Sequence, residues 1–172
     1  MKTALSRLLR SLLDPGVQPA VEPQPADPLN YDEMIHLDAE SLAEGGLATA
    51  YAELLPRIQF FVAEPIASIE EFAEDDGTQK ARAGGQEYVI WSADGERCEG
   101  WVRAPIALFD VVNRSLASAS VRFYAFYGGN DLSGMFLTEA QFAEARIAIQ
   151  RRSDWPYLLV DEPPHYGFPN AA

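Results

Sequence analysis

Five prolines within fifteen residues divide this chain. Pro15, Pro19, Pro23, Pro25 and Pro28 are spread through 14–28, and a ring that fixes φ and removes an amide hydrogen every few positions rules out both a helix and a sheet ladder there. An extended, semi-rigid linker is expected over 14–28, reaching at most ~3.1 Å per residue, or ~45 Å in all. It parts residues 1–13 from a single body expected over 29–172.

Residues 1–13 carry Leu5, Leu8, Leu9, Leu12 and Leu13 at the spacing of one helix face, with Lys2, Arg7 and Arg10 as the only charges. The arginines interrupt any apolar run of the ~7 residues that a secretory signal needs. A short amphipathic helix is expected. It suits a partner's groove, its own domain, or weak contact with a membrane surface, since ~13 residues bind lipid poorly without a second anchor. No stretch approaches the ~20 apolar residues of a transmembrane helix, so no transmembrane segment is expected. One cysteine, Cys98, allows no intramolecular disulfide, so the core alone must hold the fold, as in a reducing cytoplasm. Glu96 and Glu99 beside it disfavour a thiolate, and a structural thiol is expected.

In the body, Leu42, Gly46, Leu47, Ala50, Tyr51, Leu54 and Leu55 repeat at helical spacing from Asp38 onward. Pro56 predicts a kink or restart before 57–62. A strand is favoured within 65–76, then a loop holding Gly77 and Gly84-Gly85, then a strand over 87–91 with its turn at 93–95. Pro105 suits a helix start, with Ile106, Phe109, Val112, Asn113 and Leu116 on one stripe. The β-branched and aromatic content of 121–127 predicts a central strand, followed by a turn at 128–131 and a short strand over 135–137. Thr138 and Gln141 form a capping-box pattern opening a helix that buries Phe142, Ala145 and Ile149, with Arg151 and Arg152 in its last turn. The stretch 155–172, with Pro163, Pro164 and Pro169, cannot be a regular helix. The class predicted is α+β: a small antiparallel or mixed sheet covered by about three helices.

Charge narrows the partners. Asp and Glu number 26 against 13 Lys and Arg, a formal net charge of −13, which repels nucleic acid and points to a basic protein. Candidate partner-binding residues are Glu70, Glu71, Glu74, Asp75 and Asp76, followed by Asp94 and Glu96. The same residues also suit a solvated face. They lack the alternating oxygen spacing of a calcium loop, and no metal or cofactor is expected. A second candidate is the turn Gly128, Gly129, Asn130, Asp131 and Ser133, whose amides could meet an anion, although hairpin geometry alone favours such residues. It lacks the lysine of a phosphate loop. His36 and His165 have no histidine or cysteine at ligand spacing.

Three functions follow. The first is an acidic cytoplasmic protein-binding module. In size, charge and lack of catalytic motifs it resembles small bacterial immunity proteins, and the resemblance implies an inhibitor that occludes a basic protein without catalysis. The second is a small hydrolase or transferase using Asp131, Asp154, Glu162 and His165, which requires those four to converge. The third is an adaptor tethered through residues 1–13.

Overall fold

The computed structural model describes residues 28–95 and 99–169. The expected N-terminal helix, nearly all of the linker, Glu96 and Cys98 lie outside the described residues. Leu29, at the expected start of the body, is buried.

Among the described residues, nine elements build an α+β fold. In chain order they are β1 (Ile35–His36), α1 (Leu47–Phe61), β2 (Glu70–Ala73), β3 (Gln79–Ala83), β4 (Gln86–Trp91), α2 (Glu99–Ser115), β5 (Val121–Phe126), β6 (Ser133–Thr138) and α3 (Glu139–Ala148), besides short helical turns. All strand pairings are antiparallel. The strands form two three-stranded sheets, ordered β1-β6-β5 and β2-β3-β4. The single sheet read from the sequence is thus two, and α2 packs on both, against β4 and β5. Its buried face includes Leu108, Phe109, Val111 and Val112, each fully buried, and this supplies the shared core.

The first sheet is covered on both sides. Alternation along β5 sends Val121, Phe123 and Ala125 into the core with α1 and α2, while Tyr124 and Phe126 join Met135, Leu137, Ala145 and Leu29 beneath α3. Phe123 stacks on Phe109 and packs at a tilt against Phe136, with ring centroids 4.7 Å from each. Gly134 makes room for it, since a Cβ there would lie 2.1 Å from the ring. The outer edge of β5 would leave backbone groups unpaired. Asn113 closes it at one point, donating to Phe123 O at 3.0 Å and accepting from Phe123 N at 2.8 Å. The C-terminal stretch closes it at another, where Ala125 and Tyr157 exchange backbone bonds of 2.8 and 2.9 Å.

Several expectations are corrected. The helix runs on through Pro56 without restarting there. The break falls earlier, where Glu44 and Gly45 leave helical geometry and Gly45 takes φ +95°, a conformation open to glycine. Pro105 lies inside α2, six residues past its start at Glu99, and its ring nitrogen has no hydrogen to offer the carbonyl of Trp101 one turn earlier. β3 occupies what reads as loop. Its sequence Gln-Lys-Ala-Arg-Ala has no β-branched residue, yet it is the central strand, burying Ala81 and Ala83 between two neighbours. Gly84 and Gly85, with φ +52° and +78°, make the tight turn into β4. The capping box is present, with Gln141 N donating to Thr138 Oγ1 and Thr138 N to Gln141 Oε1. α3 ends at Ala148, so Arg151 and Arg152 fall beyond it, and Arg152 instead joins Arg146 over the Trp155 ring.

Candidate functional site

The two acidic groups, about eighteen positions apart in sequence, meet at one end of the second sheet. Antiparallel pairing sets Gln79, at the start of β3, opposite Trp91, at the end of β4. The β2–β3 turn therefore lies beside the turn that follows β4. Ala93 N donates to Thr78 Oγ1 at 3.4 Å across them. Glu74, Asp75, Asp76 and Asp94 thus share one pole. The turn is built locally: Gly77 takes φ +89°, Glu74 N donates to Thr78 O at 2.8 Å, and Thr78 N donates to Asp76 Oδ1 at 2.8 Å. That last bond holds the Asp76 carboxyl below its usual range, keeping its charge in mildly acidic solution.

The acidic residues do not act alike. Glu74 is paired with Lys80 at 2.6 Å, which raises the ammonium's pKa. Glu70 lies 3.5 Å from Arg82, and Arg82 is bound by Glu87 at 2.6 Å. Register explains this ladder, since Glu70, Arg82 and Glu87 are directly opposed on one face. Glu71 points the other way, and its Oε2 accepts from Ala48 N, 2.9 Å away, at the first turn of α1. It caps a helix whose own N-cap residue, Gly46, has no side chain to do so. Asp75 and Asp94 are exposed and have no hydrogen-bond or ion-pair partner among the described residues. Among the described residues, the carboxylates of the pole outside any ion pair are therefore Asp75, Asp76 and Asp94, with Lys80 close enough to Asp76 to act on it through its charge. Glu96 lies outside the described residues; beyond it, Glu99 is engaged by Arg103 at 2.8 Å and by Ser92 at 2.9 Å.

The glycine turn forms a second feature. Gly129–Asp131 is a single helical turn, and Tyr127 before it takes φ +57°, a conformation rare for a side chain of that size. The Tyr127 carbonyl accepts from the Tyr157 hydroxyl, which ties the turn to the C-terminal stretch. Ser133 is 1% exposed, and its Oγ lies 3.2 Å from both His36 Nδ1 and Asp131 O. His36, Tyr127, Asn130, Asp131 and Ser133 line an open cleft of about 360 Å³. Burial of the Ser133 hydroxyl argues against attack by it on a substrate in that cleft.

Of the four residues that a hydrolase would need, Asp131 lines this cleft, whereas His165 lines a separate apolar cavity of about 160 Å³ with Gly128, Gly129, Leu159 and Phe168. Asp154 accepts from Ser153 at 2.9 Å, and the Glu162 carbonyl accepts from Tyr166 N at 2.9 Å. No hydrogen bond or ion pair joins any two of the four among the described residues. Nor does any group of three His, Cys, Asp or Glu side chains come together there as a metal site.

Sequence reading missed two clusters. His36 meets Ser133 because β1 pairs with β6, a contact spanning 97 positions. Tyr88, Asp110 and Arg114 form the other, with the Tyr88 hydroxyl 2.6 Å from Asp110 and 2.8 Å from Arg114. Burial and the neighbouring carboxylate push the Tyr88 phenol up to about 12. Arg114 also donates to the carbonyls of Ala83 and Gly84. The cluster therefore ties the β3–β4 turn to α2, with no substrate needed to explain it. Comparison of the chain with protein-family models, curated proteins and solved structures found no match.

Proposed function

We propose that this chain is a protein-binding module that engages a basic partner through the acidic pole formed by Asp75, Asp76 and Asp94. One observation carries the reading: carboxylates distant in sequence converge at one end of a sheet, and three of them form no ion pair among the described residues. A chain of net charge −13 adds a long-range field that speeds encounter with a cationic surface and turns away nucleic acid. In its finer form, the proposal is an occluding inhibitor of the immunity type in a bacterial cytoplasm, needing no catalytic group. No helix among the described residues is long and apolar enough to cross a membrane.

The acidic ladder of Glu70, Arg82 and Glu87 and the cap made by Glu71 are excluded from the proposed surface, because those charges are already engaged within the sheet and with α1. The test follows from that division. Immobilised full chain and an Asp75→Lys, Asp94→Lys double variant are exposed to lysate of the native host at low and moderate salt. Neither replaced side chain has a partner among the described residues, so the melting temperature should hold. A basic protein retained by the parent, released by salt and lost by the variant is the expected result. Equal retention by a variant of unchanged stability removes the pole from the proposal.

A further inference from the structure

A second surface carries an inference independent of the acidic pole. From the core outward, Phe109, Phe123, Phe136, Phe61 and Phe60 form a continuous column of rings, with successive centroids 4.7 to 5.4 Å apart. The column ends in solvent. Phe60 is 85% exposed and Phe61 36%, and with Pro56 and Phe136 they line a groove of about 490 Å³ whose rim carries Asp32, Glu33 and Arg57. Contiguous exposed aromatic surface beside polar residues marks a place where something docks.

We propose that the occupant is residues 1–13 of the same chain, laid in the groove as an amphipathic helix with its leucines on Phe60, Phe61 and Phe136. Three observations select it over other occupants. The segment has the matching apolar face, Leu5, Leu8, Leu9, Leu12 and Leu13 at helical spacing. Its charges are three cations with no anion, and without them the rest of the −13 chain carries −16, so the segment is attracted to its own body. The tether is rooted at the groove: Leu29 is fixed in the core, and the rim residues Asp32 and Glu33 follow it by three and four positions. A linker the length of 14–28 lets the segment turn back and holds it at an effective concentration of about millimolar order. A helix of ~13 residues is marginal alone in water, and packing on the rings supplies what it lacks.

Hydrogen exchange followed by mass spectrometry on the full chain tests this, with the isolated peptide of residues 1–13 as reference. Backbone amides of residues 5–13 should exchange at least about tenfold more slowly in the full chain than in the peptide. Phe60→Asp in the groove and Leu9→Asp in the segment should each restore the peptide's rate. Phe60 is nearly fully exposed, so its variant should keep the parental melting temperature, and the segment variant gives a check that leaves the body untouched. Peptide-like exchange in the parent overturns the proposal, as does protection that survives Phe60→Asp. Protection that is lost on dilution together with a dimeric mass would assign the groove to a second copy, and protection seen only with anionic vesicles would assign the segment to a membrane; either result overturns it.

Discussion

Removing Phe123 tests the packing argument at its centre. The side chain is fully buried, packed between Phe109 and Phe136, and its ring occupies the space that a Cβ on Gly134 would need. Truncation to alanine removes the transfer energy of the ring and leaves a cavity, costing about 3 to 5 kcal/mol. Gly134→Ala alone places a methyl 2.1 Å from that ring, and overpacking of this kind costs about 1 to 3 kcal/mol. The two changes should compensate when combined, because the new methyl then enters the void left by the ring. Urea denaturation of the parent, both single variants and the double variant gives the coupling directly. The double variant should be more stable than the sum of the two losses predicts by at least about 1 kcal/mol. Additivity within about 0.5 kcal/mol would refute the argument that Gly134 is required by the Phe123 ring.

Three further outcomes are expected. Glu71→Ala removes the acceptor for Ala48 N at the start of α1 and should lower stability by about 1 kcal/mol, whereas Asp75→Asn should leave it within about 0.5 kcal/mol; equal denaturation midpoints for the two would contradict the division of labour among the acidic residues. Ser115→Ala strips a buried hydroxyl that accepts from Ile66 N at 3.1 Å, lies 2.9 Å from the Tyr51 hydroxyl and donates to Val111 O at 3.0 Å; a loss of about 1 to 3 kcal/mol in chemical denaturation is expected, and no loss would count against that network. Tyr88 and Tyr157 are both pushed up from 10 to about 12, mainly by burial. Since the unfolded chain releases those protons first, stability should hold below about pH 10 and fall as pH rises from there to 12; native phenolate absorbance showing both groups ionised near pH 10 would refute their burial.

What the sequence disclosed follows from how local each signal is. The capping box of Thr138 and Gln141, the apolar stripe of α2 and the aromatic strand β5 are each contained within one short segment, and each forms where its pattern lies. β3 escaped because its own residues carry no strand preference, and its neighbours β2 and β4 make it a strand. The proline rule misled at Pro56 and Pro105 because tertiary packing of α1 and α2 outweighs one missing hydrogen bond. The acidic residues were visible as a list, but only strand register separates Glu71, turned towards α1, from Asp75 and Asp94, which have no partner among the described residues. The meeting of His36 with Ser133 depends on pairing between strands 97 positions apart, which no local pattern encodes.

The central claim is that the acidic pole binds a basic protein, and calorimetric titration of the captured partner tests it most directly. Parent and Asp75→Lys, Asp94→Lys variant would be compared at two salt concentrations, after their melting temperatures are shown to agree. The account predicts a loss of affinity of about tenfold or more in the variant, together with a weaker dependence on salt than the parent shows. Affinities within roughly twofold of each other, with the same salt dependence, would contradict it.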